Sequence, residues 1–121
     1  MKAIFDTNIL IDYLNGRREA ADELRRYRAP AISRMTWIEV LVGAETPEEE
    51  AAARSFLGLF RVVEVGPGVA EAAIALHRER RLRLPDAIVL ATAHTEDCLL
   101  VTRNTRDFKP DWVEVRVPYR G

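Results

Sequence analysis

The stretch Ala3-Ile4-Phe5-Asp6-Thr7-Asn8 opens on three apolar residues and closes on three polar ones. A short apolar run ended by turn-forming residues reads as a strand buried on both faces, here over residues 2–6. Strands of that kind belong to parallel sheets. A carboxylate set against such a strand is costly unless it is paired or binds a cation. Asp6 therefore marks both the end of a strand and a candidate for chemistry.

The rest of the chain repeats this alternation of apolar runs and helical segments. A helix is expected over residues 8–14, with Asn8 near its start and Asn15-Gly16 as its break. A second is expected over 17–28, with Ala20, Ala21 and Leu24 on one face and Pro30 as its stop. Residues 31–33 read as a strand, followed by a helix from Thr36 to Ala44. Thr46-Pro47-Glu48-Glu49-Glu50 is a strong helix start: a capping hydroxyl, a proline suited to the first turn, and acids that complement the dipole. That helix runs to Phe60. Residues 61–65 form a strand, 66–68 a turn, and 69–81 a helix. Leu84-Pro85-Asp86 opens another helix, ending near Thr95. Residues 98–102 are a buried strand, and 113–117 an alternating one suited to a sheet edge. The expected architecture is α/β: a mainly parallel central sheet of four to five strands flanked by helices. No linker or repeat interrupts it, so residues 1–121 read as a single domain.

Composition bounds the function. The chain has 121 residues, 48% of them hydrophobic, which is enough for a core without disulfides. Cys98 is the one cysteine, so no intramolecular disulfide can form, and a reducing, cytoplasmic setting is expected. His77 and His94 stand alone, in no zinc-ligand pattern. No apolar stretch suits a signal peptide or a membrane span. Net charge is −1, which does not mark a nucleic-acid binder. Of 18 basic residues only Lys2 and Lys109 are not arginine. That bias is compatible with a phosphate-rich partner, and equally with a GC-rich genome or a hot habitat.

In open parallel sheets ligands bind beyond the carboxyl ends of the strands. Asp6 and Asn104 stand there, with Asp107 three residues further on. Glu39 and Asp86 lie near the starts of helices that can face the same edge. Each has a structural alternative. Thr36 and Glu39 have capping-box spacing, Asp86 is a first-turn acid, Asp6 or Asn8 can cap a helix, and Asn104 with Asp107 can form a turn. Together they are harder to dismiss, because converging carboxylates repel one another unless they bind a cation or shift their pKa values. Hard oxygen ligands without His or Cys favour Mg²⁺ or Mn²⁺, and such sites perform phosphodiester chemistry.

Four ordered segments carry a family resemblance: residues 4–12, 32–40, 84–93 and 100–108. With these the chain resembles the PIN-domain ribonucleases, and among them the VapC-like toxins of toxin–antitoxin pairs. The resemblance implies an Mg²⁺-dependent (or Mn²⁺-dependent) endoribonuclease that leaves 5′-phosphate ends. Asp6, Glu39 and Asp86 fall on the family's first three acids. Asp6 and Asp86 would bind metal, and Glu39 would hold water or act as base. The fourth position falls on Asn104, where many relatives carry Asp, so Asp107 is the candidate substitute and a second metal site is in doubt. Thr7, Asn8 and Thr102 match polar residues that orient the acids or the scissile phosphate. Arg103 and Arg106, together with Arg78, Arg80, Arg81 and Arg83, are candidate phosphate contacts. The implied partners are RNA, a VapB-like antitoxin and a second copy of the chain. Ile9, Leu10, Tyr13, Leu14 and Trp37 would serve the protein contacts unless they are core. A phosphatase of the haloacid dehalogenase type would need an acid where Asn8 stands, and a response-regulator receiver would need an acidic pair and a late lysine. A PIN nuclease of RNA processing and a non-catalytic PIN-fold binding module remain alternatives.

Overall fold

The computed structural model describes residues 2–121. Five short strands and six helices follow one another as β1 (Ala3–Phe5), α1 (Thr7–Leu14), α2 (Arg18–Leu24), β2 (Ala31–Ser33), α3 (Arg34–Val42), α4 (Pro47–Leu57), β3 (Arg61–Val63), α5 (Pro67–Arg80), α6 (Leu84–Thr95), β4 (Leu99–Val101) and β5 (Val115–Arg116). The strands form one sheet in the order β3-β2-β1-β4-β5. Every neighbouring pair is parallel. The chain winds outward from β1 through β2 to β3, then returns to lay β4 on the other side of β1. The seam between β1 and β4 is thus the point where winding reverses, and it is there that such sheets open a crevice for ligands.

Strand alternation sorts the core into two layers. Ala3, Phe5, Ile32 and Val101 pack with Ile9 and Leu10 of α1 and with Ala53, Phe56 and Leu57 of α4. Ile4, Ala31 and Leu100 pack on the other face, against Val69, Ala73 and Leu76 of α5 and Ala87, Leu90 and Ala91 of α6. Register fixes the site edge: Phe5 lies opposite Val101, and the Asp6 amide donates to the Val101 carbonyl at 2.9 Å. Asp6 and Thr102 therefore leave the sheet side by side.

Several boundaries differ from expectation for visible reasons. The second helix stops at Leu24, because the chain tightens through Arg26 and Tyr27 amides bonded to the Glu23 and Leu24 carbonyls. That turn carries Tyr27 edge-on to Phe5, 5.4 Å between ring centres. The third strand ends at Val63, whose partner Ser33 is the last residue of β2, so nothing remains to pair with residues 64 and 65. Residues 113 and 114 stay outside β5, where the Val115 amide closes a turn on the Trp112 carbonyl. Pro67, expected within a turn, instead opens α5, since its missing N–H costs nothing in a first helical turn.

The junction of α6 with β4 is a Schellman motif. The Cys98 amide donates to the Ala93 carbonyl at 2.9 Å and the Asp97 amide to the His94 carbonyl at 3.2 Å. Asp97 holds a left-handed φ of 55°. Glycine adopts that conformation without the Cβ penalty. Asp97→Gly is expected to raise stability by roughly 0.5–1 kcal/mol. The check is a later urea midpoint with an unchanged m-value.

Candidate active site

Asp6 caps α1. Its Oδ1 accepts the Thr7 amide at 2.8 Å, and its Oδ2 accepts Thr102 Oγ1 at 2.7 Å and Asn8 Nδ2 at 3.0 Å. The residue is 5% exposed. Burial pushes its pKa up, and the Glu39 charge adds to that, against the hydrogen bonds from Thr102, Thr7 and Asn8. Capping and site roles coincide: the cap fixes the carboxylate at the strand end.

Glu39 does not close a capping box with Thr36. The cap of α3 is Ser33, whose hydroxyl accepts the Met35 amide at 3.0 Å. Thr36 is buried in the first turn, and its hydroxyl lies 3.2 Å from Thr7 Oγ1, to which it can donate. Glu39 Oε1 accepts Thr7 Oγ1 at 2.6 Å. Thr7, one residue past Asp6, therefore ties the first acid's helix to the second acid.

Asp86 stands in the first turn of α6, behind Pro85. Its pKa is pushed up to about 6, first by burial and then by the charges of Asp6 and Asp107. Arg83 opposes the shift and Glu39 adds to it. The charges of Asp6, Asp107 and Glu39 are all felt at Asp86, so these three acids are its neighbours. Asn104, at the family's fourth position, turns inward on its own loop. Its Oδ1 accepts the Arg106 and Asp107 amides, each at 3.2 Å, and its Nδ2 donates to Asp107 Oδ2 at 3.0 Å. Asn104 thus holds Asp107, and Asp107 brings the charge.

Among the described residues, no three His, Cys, Asp or Glu side chains form a ready-made metal cage. Mg²⁺ does not require one, since it keeps several waters and takes one or two carboxylates beside substrate phosphate. The donor set is all oxygen and its negative charge is incompletely neutralised: the Arg83 guanidinium, 75% exposed, lies 4.0 Å from Asp107. These residues fit a hard divalent cation.

The arginines separate. Arg83 and Arg106 line a polar groove with Asn8, Asn104 and Asp107. Arg103 also lines it, with its guanidinium paired to Asp12, Nε at 2.6 Å and Nη2 at 2.8 Å. Arg80 is likewise spent, bonded to Glu114 and stacked over Trp112 at 4.4 Å. Arg81 ends α5 in a left-handed conformation, and Arg78 is exposed. Ile9 and Leu10 are wholly buried core, whereas Tyr13 and Leu14 are 39% and 38% exposed. Trp37 is half-buried under Arg34, 4.6 Å from its ring. Asp12 and Tyr119 were not singled out from sequence. The available signal was the i, i+4 spacing of Asn8 and Asp12, which puts both on one helix face.

Fold and site together define a parallel α/β domain with four acids at its switch point. A PIN domain model matches residues 3–110, and the chain belongs to the PIN domain family, whose members are generally nucleases. It is similar to a chain of a toxin–antitoxin complex from Klebsiella pneumoniae, with 45% identity over 99% of this chain and 100% of that one and a TM-score of 0.93. A chain of DNA-bound VapBC from Salmonella typhimurium shares the fold at 18% identity, over 98% of this chain and 99% of that one, with a TM-score of 0.86. A chain of FitAcB from Neisseria gonorrhoeae does so at 20% identity, over 96% and 97%, with a TM-score of 0.81. No curated protein matches the sequence. Among the described residues no helix is long and apolar enough to cross a membrane.

The Asp86 shift has a stability signature. Its folded pKa of about 6 exceeds the ordinary 3.8, so between those values the folded state holds the proton more tightly than the unfolded chain. Stability from this group is full below the ordinary value and is lost as pH rises through about 6. In chelator-treated protein at pH 7.5, Asp86→Asn should be more stable than wild type by on the order of 1 kcal/mol, allowing for solvent screening. The advantage should vanish toward pH 4. Urea melts across that range check it, and an equally stable or weaker variant at pH 7.5 would contradict the crowding of charge.

Proposed function

We propose that the protein is a divalent-metal-dependent endoribonuclease and the toxic member of a toxin–antitoxin pair. The observation that carries the catalytic part is the gathering of Asp6, Glu39 and Asp107 around the half-buried Asp86 beyond the β1–β4 seam, where burial first and then their charges lift Asp86 to about 6. Family membership supports it, since PIN nucleases typically use divalent metals.

Asp6 and Asp86 are the ligands of the principal ion, Mg²⁺ or Mn²⁺. When bound, such an ion neutralises charge on the phosphate and acidifies the attacking water. Thr7 and Thr102 keep the two acids they bond from rotating. Glu39, anchored through Oε1, has its second oxygen free to take a proton from that water. Asp107, held by Asn104, replaces the fourth acid of the family. Arg83 and Arg106 guide the RNA backbone along the polar groove, which makes binding sensitive to salt. The bond that breaks is that to the 3′-oxygen, leaving 5′-phosphate and 3′-hydroxyl ends. Single-stranded or looped RNA is the expected substrate class.

The toxin part rests on the 45% identity to a chain of a toxin–antitoxin complex. A VapB-like antitoxin is the proposed partner and a homodimer the proposed state. Tyr13, Leu24, Phe56 and Leu59 line an apolar groove, with Leu59 itself 74% exposed. An exposed leucine beside an apolar groove is where a protein partner would dock.

Wild type and Asp6→Asn incubated with unstructured and hairpin RNA, in Mg²⁺, Mn²⁺ or EDTA, provide the test. Wild type should cleave only with metal, and Asp6→Asn should lose at least about a hundredfold, since losing a metal ligand costs at least as much as losing one of its outer-shell partners. Equal cleavage by both proteins, or cleavage in EDTA, would sink the mechanism.

A further inference from the structure

Asn8 and Asp12 lie one turn apart on the same face of α1, and both hold Arg103. Asn8 Oδ1 accepts the Arg103 backbone amide at 3.1 Å. Asp12 accepts its guanidinium at two points, 2.6 and 2.8 Å. Arg103 sits between Thr102, which donates to Asp6, and Asn104, which donates to Asp107. One helix thus carries the first acid at its N-cap and grips, on its flank, the residue that joins two other parts of the site.

Asp12 has further partners. The Tyr119 hydroxyl donates to its Oδ2 at 2.9 Å. Arg17 approaches it at 3.8 Å, stacks over the Tyr119 ring at 4.3 Å and donates to the Arg120 carbonyl at 2.5 Å. The segment beyond β5 is in this way laid against α1. The Asp12–Arg103 pair is only partly buried, and an ion pair of this kind is a modest source of net stability, because desolvation offsets much of the attraction. Its bidentate geometry does fix direction. What the Asp12–Arg103 pair directs is the turn of residues 102–107, whose other side-chain hydrogen bonds, apart from those with Asn8 and Asp6, are local; the exposed Arg83 lies 4.0 Å from Asp107.

A second node has the same chemistry without the turn. Glu23 accepts Arg116 at 2.7 and 3.0 Å and the Tyr27 hydroxyl at 3.0 Å. It joins α2 to β5 and bonds none of the four acids.

We propose that Asp12, Arg103 and Tyr119 form a positioning clamp that keeps Thr102 and Asp107 in place beside Asp6 and Asp86. Metal affinity then depends on a tyrosine hydroxyl bonded to none of the four acids. The clamp rests on the metal-dependent reading of the site, and the experiment separates the two. Mn²⁺ binding is measured by the electron paramagnetic resonance of free Mn²⁺ in full-length wild type, Arg103→Lys, Tyr119→Phe and Tyr27→Phe. In parallel, kcat and KM are measured on single-stranded RNA. Arg103→Lys keeps the charge but loses the two-point grip, and should weaken Mn²⁺ binding about tenfold. Tyr119→Phe should weaken it severalfold, with kcat reduced and KM unchanged. Tyr27→Phe, which loses a matched hydroxyl from the second node, should bind Mn²⁺ as wild type does. Wild-type affinity in Arg103→Lys and Tyr119→Phe, or equal weakening in Tyr27→Phe, would overturn the clamp and leave the metal site standing. No Mn²⁺ binding by wild type would overturn both.

Discussion

The hydrogen bond from Thr102 to Asp6 joins the ends of β1 and β4 across the seam where the sheet's winding reverses. Nearly every feature of the site depends on it. It exists because Phe5 and Val101 pair in register, so that the next residue on each strand emerges at the same level. A slip of one residue would turn Asp6 from the edge to a face of the sheet, where its charge would meet the core. The apolar residues that specify the register therefore also specify where the carboxylate stands.

From Asp6 the order spreads through short polar links. Thr7 carries it to Glu39, Asn8 to Arg103, and Asn104 to Asp107. These are side chains of modest size whose donors face carboxylates that would otherwise repel one another. Asp86 is the exception. Burial and its neighbours' charges dominate its ionisation, and only Arg83 opposes them among the leading causes. A carboxylate raised by burial and like charges in this way is a candidate functional group.

Much of this was legible in the sequence, and the parts that were not share a cause. The strands were readable because short apolar runs leave few alternatives; Asp6 was readable as a candidate because it follows such a run, and Asp86 because it stands in a first helical turn, whereas Glu39 lies midway along α3 and Asp107 well beyond β4. The cap of α3 was not. Thr36 and Glu39 have the spacing of a capping box, but Ser33 makes the cap and Thr7, from a distant element, occupies Glu39. Arg103 shows the same effect: next to the site in sequence, its guanidinium is held by Asp12 from another element. Ile9 and Leu10 were open to either role, and the packing of α1 on β1 and β4 decided for core. Local pattern reports what a residue can do, and the partner that arrives from elsewhere in the chain decides which of those it does.

The account turns on four carboxylates sharing one edge with too little positive charge. Nuclear magnetic resonance titration of the Asp86 side-chain carboxyl in metal-free protein tests this most directly. It should titrate near pH 6, and added Mg²⁺ should shift its midpoint well downward. An Asp86 that titrates near the ordinary carboxylate value of 3.8, indifferent to Mg²⁺, would contradict the account.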